Sequence, residues 1–129
     1  MVDEAGAVER IVEAWNRHDV EGLLAVCHPA IEFMPLIAHA DGGMPMRGHE
    51  GVRQWWRDVE EVFEGRRVEV HTRREQNGWT VLCGIGHNTG RESRADVDWP
   101  FAQVLRFRGG LVTHWRFFGS EEEAEEFIG

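Results

Sequence analysis

From Arg66 to Phe118 the chain reads as four consecutive strand-like segments, about 66–74, 79–90, 99–108 and 111–118. They are punctuated by Asn77-Gly78, the polar stretch GRESRADVD and Gly109-Gly110. Asn-Gly and Gly-Gly tolerate the positive φ values that tight hairpin turns demand, so the spacing predicts neighbouring segments paired antiparallel. A run of hairpins with one apolar face must be covered, and the sequence upstream supplies the cover. Val8, Ile11, Val12 and Trp15 recur at helical spacing over 3–17, which predicts an amphipathic helix. Asp19 is placed to cap a second, shorter helix carrying Leu23, Leu24, Val26 and Cys27, with Pro29 as its stop.

Over 30–36 Ile31 and Phe33 alternate with Glu32 and Met34, the pattern of a short strand interrupted at Pro35. A third helix is predicted over 49–64, where Val52, Trp55, Trp56, Val59, Val62 and Phe63 form a broad apolar stripe that Gly65 terminates. Ser120 with Glu123 three residues on makes a capping box for a last, acidic helix. The order of elements predicts one α+β domain over 1–129, with helices covering one face of a curved antiparallel sheet. Such a half-open shape encloses a pocket.

Composition narrows the function. With 14 Arg, no Lys and 23 Asp+Glu the formal net charge is −9, and the basic residues are scattered, which disfavours nucleic acid and anionic membrane surfaces as partners. Five of those acids fall in the last nine residues. The lack of Lys and Tyr removes Schiff-base and tyrosine-acid chemistry. No apolar run approaches the roughly 20 residues that span a bilayer. Cys27 and Cys83 lie far apart behind a polar N-terminus, so a reducing, cytoplasmic location is expected. The seven histidines show neither helical i,i+4 pairs nor Cys partners at zinc-ligand spacing, and no metal or cofactor is expected.

Alternation assigns inward-facing sets: Val81, Cys83, Ile85 and His87; Phe101, Gln103, Leu105 and Phe107; Thr113, Trp115 and Phe117. The implied cavity is apolar and aromatic with few polar groups, suited to a hydrophobic, planar small molecule. His87, titrating near neutral pH, is the acid/base candidate, or else it caps a strand end at the rim. Gln103 is an amide on a core strand that requires a partner, either a ligand or an internal one. Trp15, Phe33, Met34 and Trp56 complete the candidate ligand contacts. Glu32 faces away from Ile31 and Phe33, or faces the pocket in the opposite register. His39 and Asp41 belong to a Gly-rich loop near the pocket mouth, and Asp96 and Asp98 form an i,i+2 pair in a polar loop.

The segments AWNRHDVEGLLAVCHPAIEFMP, RGHEGVRQWW and FAQVLRFRGGLVTHWRFF resemble the nuclear-transport-factor-2-like superfamily, specifically its SnoaL-like group. The resemblance implies a cone-shaped curved sheet wrapped by three N-terminal helices, with a short C-terminal helix. It also implies a homodimer through the outer sheet face, where Val104, Arg106, His114 and Arg116 lie, with the two arginines placed to meet a partner's acids. The superfamily includes polyketide cyclases, ketosteroid isomerases, epoxide hydrolases and dehydratases. By that resemblance the isomerases' carboxylate base falls at Phe33 or Met34, their tyrosine near Ile11 and their second acid at Gln103. The hydrolases' Asp-Arg-Asp set falls near His87, Ile85 and Phe117. With those acids missing, His87 and Gln103 are the residues left for a cofactor-independent cyclase, isomerase or dehydratase acting on a hydrophobic carbonyl compound. The alternatives are a non-catalytic hydrophobic-ligand-binding protein, or a dimerising module whose pocket its own side chains fill.

Overall fold

The structure, a computed structural model, describes residues 4–35 and 45–129. In chain order the elements are helices α1 (Glu4–Asn16) and α2 (Val20–Leu24), strands β1 (Cys27–Met34) and β2 (Met46–Arg47), and helix α3 (Gly48–Val62). Strands β3 (Phe63–Gln76), β4 (Trp79–Gly90), β5 (Asp96–Arg108) and β6 (Leu111–Phe118) follow, and helix α4 (Glu121–Ile128) ends the chain. The six strands form one open curved sheet in the order β2-β1-β6-β5-β4-β3. The predicted hairpins are present, with positive φ at Asn77, Gly78, Gly109 and Gly110. The predicted caps are present too: Asp19 accepts from Gly22 N at 3.0 Å, and Ser120 accepts from Glu123 N at 3.2 Å.

Three expectations are corrected. The sheet is not wholly antiparallel: β1 runs parallel to β6, a pairing made possible by the long excursion through α3 and the hairpins. Helix α2 ends at Leu24, and Val26 and Cys27 join the sheet instead, where the Val26 carbonyl accepts from Val112 N at 2.8 Å. Pro29 therefore lies inside β1, in the stretch between Cys27 and Glu32 where the register slips and its missing N–H costs no ladder bond. Strand β5 begins at Asp96, because Asp96, Val97 and Asp98 pair with Thr89, Asn88 and His87 and lengthen the β4-β5 ladder.

The register defines two faces, since antiparallel partners point the same way. Leu82 pairs with Gln103, Gln103 with Phe117, and Leu105 with Trp115, which places all of them on the concave face under α1 and α3. There they meet Ile31, Phe33, Val52 and Trp56. Each large aromatic withdrawn from water removes about 150–250 Å², or about 4–6 kcal/mol at ~25 cal/mol per Å², so this cluster dominates the core. The opposite face buries Trp79, Val81, Ala102, Val104 and Phe118 against Ala124 and Ile128 of α4.

One edge of the sheet is closed by a side chain. The Asn16 carboxamide at the end of α1 accepts from Val68 N at 2.8 Å and donates to Val68 O at 3.2 Å, which ties α1 to β3 and blunts that strand's open edge. Gly84 is forced by geometry: a Cβ there would sit 1.9 Å from the Glu69 carbonyl oxygen, at the irregularity between Val70 and Thr72. Gly84→Ala is expected to destabilise the fold by about 3 kcal/mol in chemical denaturation. Gly86→Ala, whose Cβ meets nothing closer than 3.6 Å, is expected to change stability by no more than about 1 kcal/mol. Equal effects at the two sites would contradict this register.

Candidate functional site

The concave interior is walled by aromatic rings from four elements. Trp15 of α1 stacks on Trp55 of α3 with centroids 5.2 Å apart, and Trp56 meets Trp15 edge-on at 5.4 Å. Phe33 of β1 packs against Trp55 at 4.7 Å and against Trp115 and Phe117 of β6 at 5.4 Å each. Helical spacing delivers Trp55 and Trp56 to this wall, and strand alternation delivers Trp115 and Phe117. Phe101 adds a partly buried flank. Of the predicted ligand contacts, Trp15, Phe33, Trp56, Phe101, Trp115 and Phe117 are thus gathered on one surface. Trp55 belongs with them, and its place in the α3 apolar stripe was the signal for it.

Gln103 is the neutral polar group of this wall. Its Oε1 accepts from Trp115 Nε1 at 2.9 Å. An indole nitrogen only donates, so the contact fixes which end of the carboxamide is oxygen and leaves the Nε2 donors without a partner among the described residues. The amide is half-buried and held by a rigid neighbour.

The expected inward set of β4 is corrected. Val81 pairs with Val104, Cys83 with Ala102, Ile85 with Pro100 and His87 with Asp98, so all four lie on the face opposite Gln103. The alternation along β4 was read in the wrong phase because both faces of this strand are apolar over 79–83, one under α1 and α3 and the other under α4. Cys83 and Ile85 instead border a depression of about 320 Å³ near the start of α4. Met34 and Thr113 also leave the interior. Met34 registers with Arg116 on the outer face, and Thr113 is the extra residue of a bulge, its hydroxyl donating to Arg106 O at 3.2 Å.

His87 therefore does not meet Gln103. Its Nδ1 lies 2.8 Å from Asp98 Oδ1, and its Nε2 approaches Glu69 Oε2 at 3.3 Å without hydrogen-bond direction. The Asp98 contact first and Glu69 second raise its pKa above the ordinary 6.5. Glu69, held by Arg67 and then by His87 and His71, is lowered to about 2. Asp96 bonds Thr89 Oγ1 at 2.8 Å, so Asp96 and Asp98 tie β5 to β4 rather than sharing a site. Burial pushes the Cys27 thiol to about 12 and raises that of Cys83, and both cysteines are free.

Glu32 takes the register that points away from the interior. On the outer face it pairs with Arg47 at 2.7 Å and His114 at 3.2 Å, beside a cleft of about 700 Å³ that Trp79 and Arg106 also line. Arg106 lies over the Trp79 ring at 4.2 Å and Arg116 over Phe127 at 4.6 Å. His39 and Asp41 lie outside the described residues. Among the described residues no group of three or more His, Cys, Asp or Glu is placed to hold a metal, and no helix is long and apolar enough to cross a membrane.

One interior residue was missed. Arg66 of β3 is 4% exposed, and its guanidinium carbon sits 4.7 Å from the Trp15 ring and 4.7 Å from the Trp56 ring. Alternation of Arg66, Val68 and Val70 against Arg67, Glu69 and His71 was the available signal. Burial, followed by the nearby Arg91, lowers its pKa, which Glu60 partly offsets.

An open curved sheet with helices over one face and a short C-terminal helix is the nuclear-transport-factor-2-like fold, and solved structures similar to this chain share it. They include a protein of unknown function from Burkholderia pseudomallei, 22% identical with a TM-score of 0.80 over 99% of this chain and 98% of that one. A second is TerC co-crystallised with polyporic acid, 21% identical with a TM-score of 0.79 over 97% of each chain. A third, from Catenulispora acidiphila, has a ketosteroid isomerase-like fold and was solved with trimethylamine; it is 18% identical, with a TM-score of 0.77 over 94% of this chain and 88% of that one. No curated protein matches the sequence. Residues 8–115 match the sequence model of the SnoaL-like domain, and the chain belongs to that family.

The raised pKa of His87 sets a pH window. Its ionic contribution is complete below pH 6.5 and is lost as pH rises through the raised folded value. Glu69 contributes above pH 4.5 and loses its contribution as pH falls toward about 2. The melting-temperature gap between wild type and His87→Gln is expected to shrink steadily from about pH 6 to about pH 9. A gap constant over that range would show that the carboxylates do not hold the imidazolium.

Proposed function

We propose that this SnoaL-like protein holds a hydrophobic, planar carbonyl compound against Trp55, Phe101 and Phe117, the partly exposed rings of the concave wall. It acts there as a cofactor-independent isomerase- or cyclase-type protein. The observation that carries the proposal is the Gln103 carboxamide, oriented by Trp115 so that its N–H groups are free within an aromatic wall. A donor fixed in advance strengthens its hydrogen bond as a carbonyl oxygen gains enolate charge, and a dry environment strengthens it further. The rings supply shape, folding a flexible substrate toward ring closure and excluding water. Small-molecule isomerisation and cyclisation are the kind of activity found among the relatives of this family.

A second reading, binding without turnover, is favoured by the place of His87. Its imidazole lies across the sheet between two carboxylates, so the expected acid/base residue does not face the aromatic interior. For either reading a homodimer is proposed over the part of the outer face that α4 leaves open, around Glu32, Arg47 and His114.

The test uses polyporic acid as first probe, because TerC was crystallised with it. Calorimetric titration is expected to show binding to the wild type, and Gln103→Leu is expected to weaken it about tenfold, the worth of one lost hydrogen bond of about 1.4 kcal/mol. A wild type that binds neither polyporic acid nor a panel of planar aromatic ketones would overturn the proposal. Conversion of a bound ketone by wild type and not by Gln103→Leu selects the enzyme, and tight binding without conversion selects the carrier.

A further inference from the structure

We propose that the ligand of the interior carries a delocalised oxyanion, a carboxylate or an enolate, and that Arg66 is the residue that receives it. This inference rests on the interior being the ligand site. Nε, Nη1 and Nη2 of Arg66 are all sealed from solvent, and none has a hydrogen-bond partner among the described residues. A guanidinium carries five N–H donors in its plane, and they spend themselves only on acceptors along its edge. Trp15 and Trp56 lie over the group at 4.7 Å each and engage its charge through their faces, leaving the edge unused. Arginines at the surface do find carboxylates: Arg17 pairs with Glu13, Arg47 with Glu32 and Arg53 with Glu21, each at 2.7 Å. The buried arginine makes no such contact. Glu60 and Arg91, the charged groups that act on it, pull in opposite directions, and Arg91 is committed to the Glu60 backbone carbonyl.

A purely packing role does not account for this arrangement. Burying an unpaired charge is costly, and a methionine of similar length would fill the same space without unmet donors. A charge kept at that cost is explained by an anion that arrives later. The surroundings suit one. Arg66 registers with Asn88, whose amide lies on the same face and has no described hydrogen-bond partner, so a charged and a neutral donor stand side by side. Val68 registers with Gly86, which has no side chain of its own, and the Asn88 amide nitrogen lies 3.6 Å from where a Cβ would sit, so that donor is turned over the concave surface beside Arg66. Trp15 contacts both the guanidinium and Trp55, so Arg66 lies one ring behind the aromatic wall that holds Gln103, and a ligand reaches it only when that ring moves aside. A planar ligand then lies on that wall with its oxyanion at Arg66, which gives a bidentate pair.

The experiment compares 2-naphthoate with 2-acetonaphthone, two probes of similar shape of which the first alone is an anion. Each is titrated calorimetrically into wild type, Arg66→Met and Arg66→Lys, and the ligand-free proteins are melted. Wild type is expected to bind 2-naphthoate at least tenfold more tightly than the ketone. Arg66→Met is expected to lose that preference while its affinity for the ketone is unchanged and its ligand-free melting temperature is no lower. Arg66→Lys, keeping the charge but not the fork, falls between. Equal affinity of wild type for the two probes, or 2-naphthoate bound unchanged by Arg66→Met, would overturn the assignment of Arg66 while ketone binding upholds the interior site. Binding of neither probe by wild type would overturn both. If Arg66→Met does not fold, the group is structural unless wild type retains its preference and Arg66→Lys weakens it.

Discussion

The pairing of β4 with β5 governs what this protein can hold. Leu82 beside Gln103 and Val81 beside Val104 set the phase of every side chain along two strands, and through Leu105 and Trp115 the phase of β6 as well. A slip of one residue would exchange the faces, bringing His87 and Cys83 inside and sending Gln103 out. The phase is held from both sides. Trp15, Trp55 and Trp56 fill the concave face, while α4 seats Ala124 and Ile128 on the other. Two separate apolar layers on one sheet leave the strands no alternative register with comparable burial.

The division also sorts charge. The outer face carries the titratable groups of the sheet in contact with one another, His87 between Asp98 and Glu69, and His114 with Glu32 and Arg47. On the concave face the Gln103 oxygen is satisfied, while the Arg66 donors have no partner among the described residues. Acid/base residues in the interior are what would make a proton-transfer enzyme of this fold self-sufficient. Their placement across the sheet shifts the burden to hydrogen-bond donation, shape and the ligand's own acidity.

Much was legible in the residues themselves. Helical spacing of Val52, Trp55 and Trp56, the Asn77-Gly78 and Gly109-Gly110 turns, and the caps at Asp19 and Ser120 are local signals that act within a few residues, so they survive without knowledge of neighbours. The aromatic interior was legible for the same reason at Trp115 and Phe117, whereas the register of the first strand stayed open because Ile31 and Phe33 alternate with Met34 as well as with Glu32. The phase of β4 was not legible, because Trp79 to Cys83 is apolar on both sides and alternation carries no information there. Nor was the parallel contact of β1 with β6, which joins segments some eighty residues apart and is decided by how α3 turns the chain back.

By itself the sequence determined the α+β class, helices on a curved sheet with an aromatic interior, because periodicity and turn chemistry are written residue by residue. Only the tertiary structure decided which face each titratable group occupies. It separated His87 from Gln103, bound Gln103 to Trp115, and enclosed Arg66 between Trp15 and Trp56. Those outcomes depend on cross-strand register and on which helix covers which face, and both are settled by the total burial of the sheet rather than by any one segment.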